Sequence, residues 1–343
     1  MPEAPRLQID KIVTDILGTI THEREREIIS RRFGLFDRKE TLEQIGELLG
    51  ITRERVRQLE KVIVSRLKDE ATKGQLPHVE MIQDAFIELL GDMGNVARVS
   101  NLSAKLNTEN TRIDQSRIAF LAQLCPKLVV IDDNDYYFLA VALRGIHDDK
   151  AVKKIVEQIV ATIKKIGEPA TIEEITKLAK LDNPKHVQAL ASISKTLATL
   201  NNSWGLIKWP MVNPKNIRDK IYVILKKNGK HMHFNEIAAA IQQSSFKRKD
   251  VTTQAIHNEL IKDKRFVLIG RGIYALKEWG YKKGTVADII TDVLKKSNQP
   301  LHRDEIVKLV LKSRYVKETT ILLNLQGKPQ FKRVAKATYA LAE

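Results

Sequence analysis

The stretch around Gly50 constrains the fold of this chain more than any other part of the sequence. Glycine permits a sharp turn with positive φ at little cost, and Gly46 leaves room for a second helix to cross close to the first. Thr52 is a suitable N-cap for that second helix. The pattern predicts one helix over residues 41–49 and another over 52–67, joined by a tight turn.

The apolar residues on both sides of Gly50 agree with this arrangement. In the second helix they follow spacings of three and four, which places them on one stripe. Two short helices with such inward faces, separated by a glycine turn, predict a helix-turn-helix. The residues expected to face inward are Ile45, Leu49, Ile51, Val56, Leu59, Ile63 and Leu67.

The opposite face of the second helix carries side chains that suit the major groove of DNA. Arg can pair with guanine, Gln with adenine, and Glu can accept a hydrogen bond from cytosine. Such residues usually form an ordinary solvated face, but here they coincide with the turn glycine and the apolar pattern. The sequence therefore predicts a DNA-binding site formed by Thr52, Arg53, Glu54, Arg55, Arg57, Gln58 and Lys61.

Four motifs extend the pattern: Arg24-Glu25-Arg26-Glu27-Ile28-Ile29, Arg32-Phe33-Gly34-Leu35, Thr41-Leu42-Glu43-Gln44-Ile45-Gly46, and the nine residues from Thr52 to Glu60. With them, residues from about 20 to 68 closely resemble region 4 of the housekeeping bacterial sigma factors, the sigma-70 family. In that family the module reads the promoter −35 element and docks on the flap of the RNA polymerase β subunit.

The resemblance implies promoter-like double-stranded DNA as a partner, and the β flap as a second one. It places Arg53, Glu54, Arg57 and Gln58 at positions that contact bases and phosphates. Only about twenty residues precede the match, whereas sigma factors melt promoters through aromatic-rich upstream regions. The chain is therefore not expected to replace a sigma factor.

After a linker predicted over residues 68–77, the sequence repeats one theme four times. Each copy has a helix, a turn, a short helix, a longer helix and an apolar strand pair, which is the order of a winged helix. The predicted strand pairs include 128–131 with 136–140, and a wing over 204–209. Two sets of residues recur at similar spacing: Ile175, Ile237 and Ile306 (62 and 69 apart), and Trp209, Tyr274 and Tyr339 (65 and 65 apart).

Residues from about 213 to 343 resemble the HARE-HTH family of winged helices. The resemblance rests on His233-Phe234-Asn235-Glu236-Ile237 and on the wing pattern from Arg265 to Leu276, with Gly270, Gly272 and Tyr274. This family occurs in eukaryotic chromatin regulators, in restriction endonucleases and in the RNA polymerase delta subunit. The two earlier copies resemble it in architecture only.

The expected fold is mainly α, with tandem helix-turn-helix modules and small β wings. Residues 1–76 would form a sigma-region-4-like domain of three or four helices. Four winged-helix units would follow: 77–145, acidic and degenerate; 146–212; 213–283, HARE-HTH-like and strongly basic; and 284–343, HARE-HTH-like.

The positive charge is concentrated at the C-terminal end. The formal net charge of the chain is +16, of which residues 213–283 carry +10 and residues 284–343 carry +5, while 77–145 carry −3. A polyanion is the natural partner of such a chain. Lys247, Arg248, Lys249 and Arg271 are therefore predicted to contact DNA phosphates. A basic surface that binds nothing, or an acidic protein partner, is the alternative.

Other classes of function have no signal in the sequence. It contains no phosphate-binding glycine loop, no Cys/His cluster at metal spacing and no convincing catalytic pair. We expect no enzyme activity, no cofactor, no metal and no small-molecule substrate. The single cysteine, Cys125, is expected to be a buried apolar residue. Without an apolar run of bilayer length or a signal peptide, the chain is expected to have no membrane partner and to be cytoplasmic and nucleoid-associated.

The function predicted from these features is that of a sequence-specific DNA-binding transcription regulator related to sigma region 4. Its second helix would read a −35-like element in the major groove, while basic winged helices anchor the DNA backbone. The main alternative is an accessory RNA polymerase-binding protein, delta-like or flap-binding, that acts through protein contacts. A third interpretation is DNA binding in the nucleoid or in a defence system without a promoter function.

Overall fold

The computed structural model describes residues 7–106, 109–145, 148–246 and 250–342. Within these ranges the chain is mainly helical, with sixteen α-helices and small antiparallel sheets. It divides into two compact units, Met1–Ile207 and Lys208–Glu343. The expectation of a mainly α protein with small β elements is confirmed.

Unit 1 begins with four helices. The hydroxyl of Thr41 accepts from the backbone N–H of Gln44, whose side chain accepts in return from the backbone N–H of Thr41, and this capping box starts the third helix. Gly50, with φ of +63°, ends it, and Thr52 caps the fourth. The four helices are α1 (Ile9–Gly18), α2 (Glu23–Phe33), α3 (Leu42–Leu49) and α4 (Arg53–Thr72).

The two predicted helices around Gly50 are confirmed, but α4 runs further than expected. It continues to Thr72, so the predicted linker over 68–77 is wrong in its first half. Ala71 is buried against the core of unit 1, and this packing keeps the last turn helical. At 20 residues, α4 is about 30 Å long.

The rest of unit 1 contains two segments that each have three helices followed by a strand hairpin. In the first, the sheet order is β1-β3-β2, and in the second β4 pairs with β5, all antiparallel. The first segment comprises α5 (Val79–Asp92), β1 (Val96–Arg98), α6 (Val99–Leu106), α7 (Arg112–Leu124), β2 (Leu128–Ile131) and β3 (Ala140–Leu143). The second comprises α8 (Asp149–Ile166), α9 (Ile172–Leu178), α10 (Pro184–Ile193), β4 (Leu197–Leu200) and β5 (Ser203–Leu206).

Unit 2 contains two more segments with the same order of helices and a hairpin. Their sheets have the orders β6-β8-β7 and β10-β11-β9. The first comprises α11 (Ile217–Asn228), β6 (Met232–His233), α12 (Phe234–Gln243), α13 (Thr253–Lys262), β7 (Phe266–Gly270) and β8 (Ile273–Leu276). The second comprises α14 (Val286–Ser297), β9 (Leu301–His302), α15 (Arg303–Leu311), α16 (Glu318–Gly327), β10 (Phe331–Ala335) and β11 (Thr338–Leu341).

Two hairpins differ from the predicted ranges. The strand predicted over 136–140 is β3 at Ala140–Leu143, because the side chain of Asn134 accepts from the backbone N–H groups of Tyr136 and Tyr137 and holds that stretch as a turn. The wing predicted over 204–209 is the β4–β5 hairpin, whose turn residues Asn201 and Asn202 both have positive φ.

The aromatic residues that recur at equal spacing are not structurally equivalent in all three copies. Tyr274 and Tyr339 are buried at the second position of β8 and β11, and Trp204 occupies that position in β5. Trp209 lies beyond β5 and is half-buried, so its 65-residue spacing from Tyr274 does not mark an equivalent position. The recurring isoleucines Ile175, Ile237 and Ile306 are all fully buried at the fourth residue of α9, α12 and α15.

The hydrophobic core of unit 1 crosses the predicted boundary at residue 76. Ile63 and Leu67, from the second half of α4, belong to the same buried cluster as Phe86 of α5 and Phe120 of α7. The helix-turn-helix itself has a smaller cluster, with Ile28, Ile45 and Val56 at its centre. The second half of α4 therefore joins the helix-turn-helix to the segment that follows it.

Candidate nucleic-acid interface

The crossing of α3 and α4 depends on a close backbone approach at Gly46. A Cβ atom at Gly46 would lie 2.7 Å from the carbonyl oxygen of Ile51, which is closer than real Cβ contacts. Ile45 of α3 and Val56 of α4 are fully buried across this contact. Leu49, Ile51 and Leu59 are only half-buried, so the predicted inward face is confirmed with a less complete burial at its margins.

Ion pairs between α2 and α4 fix the orientation of the candidate recognition helix. Arg32 on α2 contacts Glu60 on α4 at 3.1 Å, and Arg66 on α4 contacts Glu25 on α2 at 2.8 Å. These pairs are partly shielded from solvent, with the buried side of α4 between them. The exposed face of α4 is therefore held at a defined orientation.

All seven residues that the sequence predicts as a DNA-binding set around α4 are exposed. They lie on its first two to three turns and at its N-cap, and the structure brings them together on one end of the helix. The hydroxyl of Thr52 accepts from the backbone N–H of Arg55 at 3.2 Å. Thr52 therefore caps α4. The other six side chains of the set are exposed on the helix.

Three of these side chains are connected by hydrogen bonds. Arg57 donates from Nε and Nη2 to the two carboxylate oxygens of Glu54, at 2.8 and 2.6 Å. Gln58 donates from Nε2 to Glu54 at 3.4 Å. The bonds from Arg57 lower the pKa of the Glu54 carboxyl, and Glu54 in turn raises the pKa of Arg57. Both groups stay ionised at neutral pH, and Glu54 orients an arginine and an amide beside each other.

A shallow groove of about 460 Å³ continues along α4 from this cluster. It extends as far as Lys68, and Gln123 of α7 forms part of its wall. Burial and the nearby Arg144 lower the pKa of Lys68, while Asp132 raises it. Lys68 lies eleven residues after Arg57 on the same face of α4, so helical spacing could have predicted it as part of this surface. No sequence pattern predicts that Arg144 lies near it.

The other predicted DNA-binding residues lie in unit 2. Arg271 is exposed at the tip of the β7–β8 hairpin, next to Gly272 with φ of +69°. Lys247, Arg248 and Lys249 lie outside the described residues. The structure thus places Arg271 in a different unit from the predicted set on α4.

The third helix of each repeat in unit 1 is used for internal contacts, which the sequence analysis did not foresee. On α10, the ring nitrogen Nδ1 of His186 lies 2.6 Å from the carbonyl oxygen of Gly94. A Cβ at Gly94 would lie 2.6 Å from the carbonyl oxygen of Lys185, so this face of α10 is packed tightly against the preceding segment.

On α7, the ring of Phe120 packs on Phe33 of α2 with centroids 5.0 Å apart, and Arg117 donates to the carbonyl oxygen of Leu35 at 2.8 Å. This helix lies against the helix-turn-helix module. Neither α7 nor α10 presents the same kind of open polar face as α4.

In the part of the chain that the structure describes, no group of three or more His, Cys, Asp or Glu side chains could hold a metal ion. Among the same residues, no helix has the length and apolar character needed to cross a membrane. Cys125 is buried, as predicted, and its burial raises the pKa of the thiol to about 12.

The geometry of α2, α3 and α4 defines a helix-turn-helix whose second helix, α4, has an exposed polar face. Residues 22–69 match the family model of sigma-70, region 4, which confirms a domain of that kind at this place in the chain. RNA polymerase sigma factor sigB of Arabidopsis thaliana is 43% identical over 75 residues, which are 22% of this chain and 12% of that protein.

RNA polymerase sigma factor SigA of Listeria monocytogenes is 43% identical over 63 residues, which are 18% of this chain and 17% of that protein. SigA of a Bacillus species is also 43% identical over 63 residues, and 16% of it is covered. The chain therefore spans less than a fifth of the length of these relatives. The similarity concerns the region 4 domain.

Proposed function

We propose that this protein is a sequence-specific DNA-binding transcription regulator that reads a −35-like element with the first half of α4. The observation that carries the proposal is the exposed cluster of Arg53, Glu54, Arg57 and Gln58 on a helix-turn-helix of the sigma-70 region 4 type. Arginine, glutamate and glutamine are the side chains that read guanine, cytosine and adenine in the major groove.

The four segments after α4 are proposed to be winged helices, with those in unit 2 of the HARE-HTH type. The sheet orders β6-β8-β7 and β10-β11-β9 support this, because the strand before the second helix pairs with the second strand of each hairpin. The segment with β1 has the same arrangement. The boundaries 1–76, 77–145, 146–212, 213–283 and 284–343 are kept as the proposed domain division.

Unit 2 is proposed to hold the DNA backbone. Residues 213–283 and 284–343 together carry +15 of the formal net charge of +16, and Arg271 is exposed on a hairpin tip. Charge of this kind contributes affinity for any sequence and makes binding depend on salt. We propose no enzyme activity, cofactor or membrane partner for the chain, and a cytoplasmic, nucleoid-associated location.

Selection of bound fragments from random duplex DNA with the whole chain tests the proposal. The full chain is required, because the second half of α4 shares its core with α5 and α7 and a fragment ending at residue 76 would expose that core. The expected result is an enriched motif that resembles a −35 element.

The change Arg57→Ala should relax this motif at one base position and weaken binding there by about 1–3 kcal/mol. Arg112→Ala, which removes an exposed arginine from α7, is the matched control and should leave the motif unchanged. A motif that survives Arg57→Ala intact would count against base reading by α4.

The second candidate is an accessory subunit of RNA polymerase that binds the β flap or acts as the delta subunit does. It is supported by the region 4 similarity, because the relatives are named as sigma factors of RNA polymerase. Absence of an enriched motif, together with binding that disappears as salt rises, would favour this candidate. Direct binding of the chain to purified RNA polymerase without DNA is then the deciding measurement.

A further inference from the structure

The third helices of the four repeats differ sharply in what they present to solvent. In unit 1, the contacts of Phe120 on α7 and of His186 on α10 place those helices in internal interfaces. In unit 2, α13 and α16 each have one buried side and one exposed side.

On α13, the buried side consists of Ile256 and Leu260, which are at most 1% exposed. Gln254 and Asn258 lie four residues apart on the opposite, exposed side, followed by Lys262. Gln254 donates from Nε2 to the Oδ1 atom of Asn258 at 3.2 Å, so the two amides lie side by side. The two exposed amides therefore offer hydrogen-bond donors and acceptors along one face of this ten-residue helix.

The charges around this face favour a polyanion. Glu259 on α13 forms an ion pair with Arg218 at 3.1 Å. Asp263, just after the helix, forms one with Arg265 at 2.8 Å. Asp250, before the helix, is exposed, and so are Lys262 and Lys264 at its other end. The surrounding segment, residues 213–283, has a net charge of +10, which complements the phosphates of a duplex.

The equivalent face of α16 lacks this chemistry. Its buried pair, Ile321 and Leu325, corresponds to Ile256 and Leu260 of α13. At the position of Asn258 it carries Leu323, which is 68% exposed, and at the position of Gln254 it carries Thr319. Among the third helices that the structure describes, the pair of exposed amides therefore distinguishes α13.

We infer that α13 is a second base-reading helix, which contacts adenine-containing sequence in the major groove through Gln254 and Asn258. Amide side chains pair with the N6 and N7 atoms of adenine, and an α-helix about 10–12 Å in diameter fits a groove about 12 Å wide. The inference rests on the proposed DNA-binding function and extends it, because unit 2 then reads sequence in addition to holding phosphates.

Fragment selection with the full chain tests the inference with three variants. Gln254→Ala combined with Asn258→Ala removes both amides, and Arg57→Ala removes the proposed reader on α4. Thr319→Ala combined with Gln326→Ala changes two exposed residues of α16 and is the matched control. All five side chains concerned are exposed, and thermal unfolding checks that each variant is folded.

The expected result is a wild-type motif with two parts. The amide double variant should lose one adenine-containing part, with discrimination at those positions reduced about 5- to 150-fold, and should keep the −35-like part. Arg57→Ala should relax one base position of the −35-like part and keep the adenine-containing part. The α16 control should select the wild-type motif.

Two results overturn the inference alone. One is a motif that Arg57→Ala alters and the amide double variant does not. The other is an equal loss of affinity for all sequences in the double variant, which would make the amides general contacts. A wild-type chain that selects no sequence contradicts the proposed function, and the inference with it.

Discussion

Gly46 lies where the backbones of α3 and the α3–α4 turn come closest. Ile45 beside it is fully buried, and the carbonyl oxygen of Ile51 occupies the space that a Cβ atom would need. Gly50, in contrast, has no atom within 4 Å of a Cβ position and is required for its φ of +63°. Gly46 and Gly50 are therefore required for different physical reasons, a close backbone contact and a positive φ.

The change Gly46→Ala should destabilise the chain by about 1–3 kcal/mol, because the backbone at Ile51 must shift to make room. Part of the cost is offset by the better helix propensity of alanine. Gly91→Ala is the matched control, since nothing lies within 4 Å of a Cβ on that helical glycine. Urea unfolding monitored by circular dichroism compares the two, and equal stabilities would contradict the importance of the close approach.

At the scale of elements, α4 has two halves with different neighbours. Its first half carries the exposed Glu54, Arg57 and Gln58 cluster, while its second half packs into the core that α5 and α7 share. A helix of 20 residues can do both, because its length exceeds that of the helix-turn-helix. The orientation of α4 is thus fixed by its ion pairs with α2 and also by packing against residues outside the region 4 domain.

Leu67→Ala should lower the free energy of unfolding by about 2–5 kcal/mol, because it leaves a cavity where Leu67 is fully buried. Val62→Ala on the same helix, where the side chain is 62% exposed, should change it by less than about 0.5 kcal/mol. Chemical denaturation of both variants measures the difference. Similar values for the two would mean that the second half of α4 does not stabilise the shared core.

At the scale of the whole molecule, the proposed base-reading face of α4 and most of the positive charge belong to different segments of the chain. Residues 1–76 have a net charge of +1, and the strongly positive segments are those of unit 2. Contacts with DNA phosphates give affinity without sequence preference, whereas contacts with base edges give a preference for particular sequences. The affinity of the full chain should therefore fall steeply with salt, while the selected motif stays the same.

Arg271→Ala should weaken binding to all duplex sequences alike and reduce the slope of log K against log salt by about 1, as expected for one lost phosphate contact. Titrations at several salt concentrations measure the slope, with Arg112→Ala again as the control of equal charge. An unchanged slope would place Arg271 away from the phosphates. A change in the selected motif would instead make it a base contact.

The sequence by itself determined the local features of this protein. Gly50, Thr52 and the seven-residue spacing of Val56 and Ile63, which is two helical turns, specify the turn, the cap and the buried stripe through interactions between near neighbours in the chain. The exposed face with Arg57 follows from the same spacing. Its assignment to DNA remains a prediction, supported by the region 4 match.

Only the tertiary structure decided which helices are open and where the cores join. The contacts of Phe33 with Phe120 and of His186 with Gly94 link residues about 90 apart, and no local pattern encodes such pairs. The 65-residue spacing grouped Trp209 with Tyr274 because spacing between repeats cannot detect a shifted turn, whereas the β4–β5 hairpin places Trp204 at the equivalent position. Local sequence fixes the elements through short-range sterics and hydrogen bonds, and long-range packing decides which of their faces remain exposed.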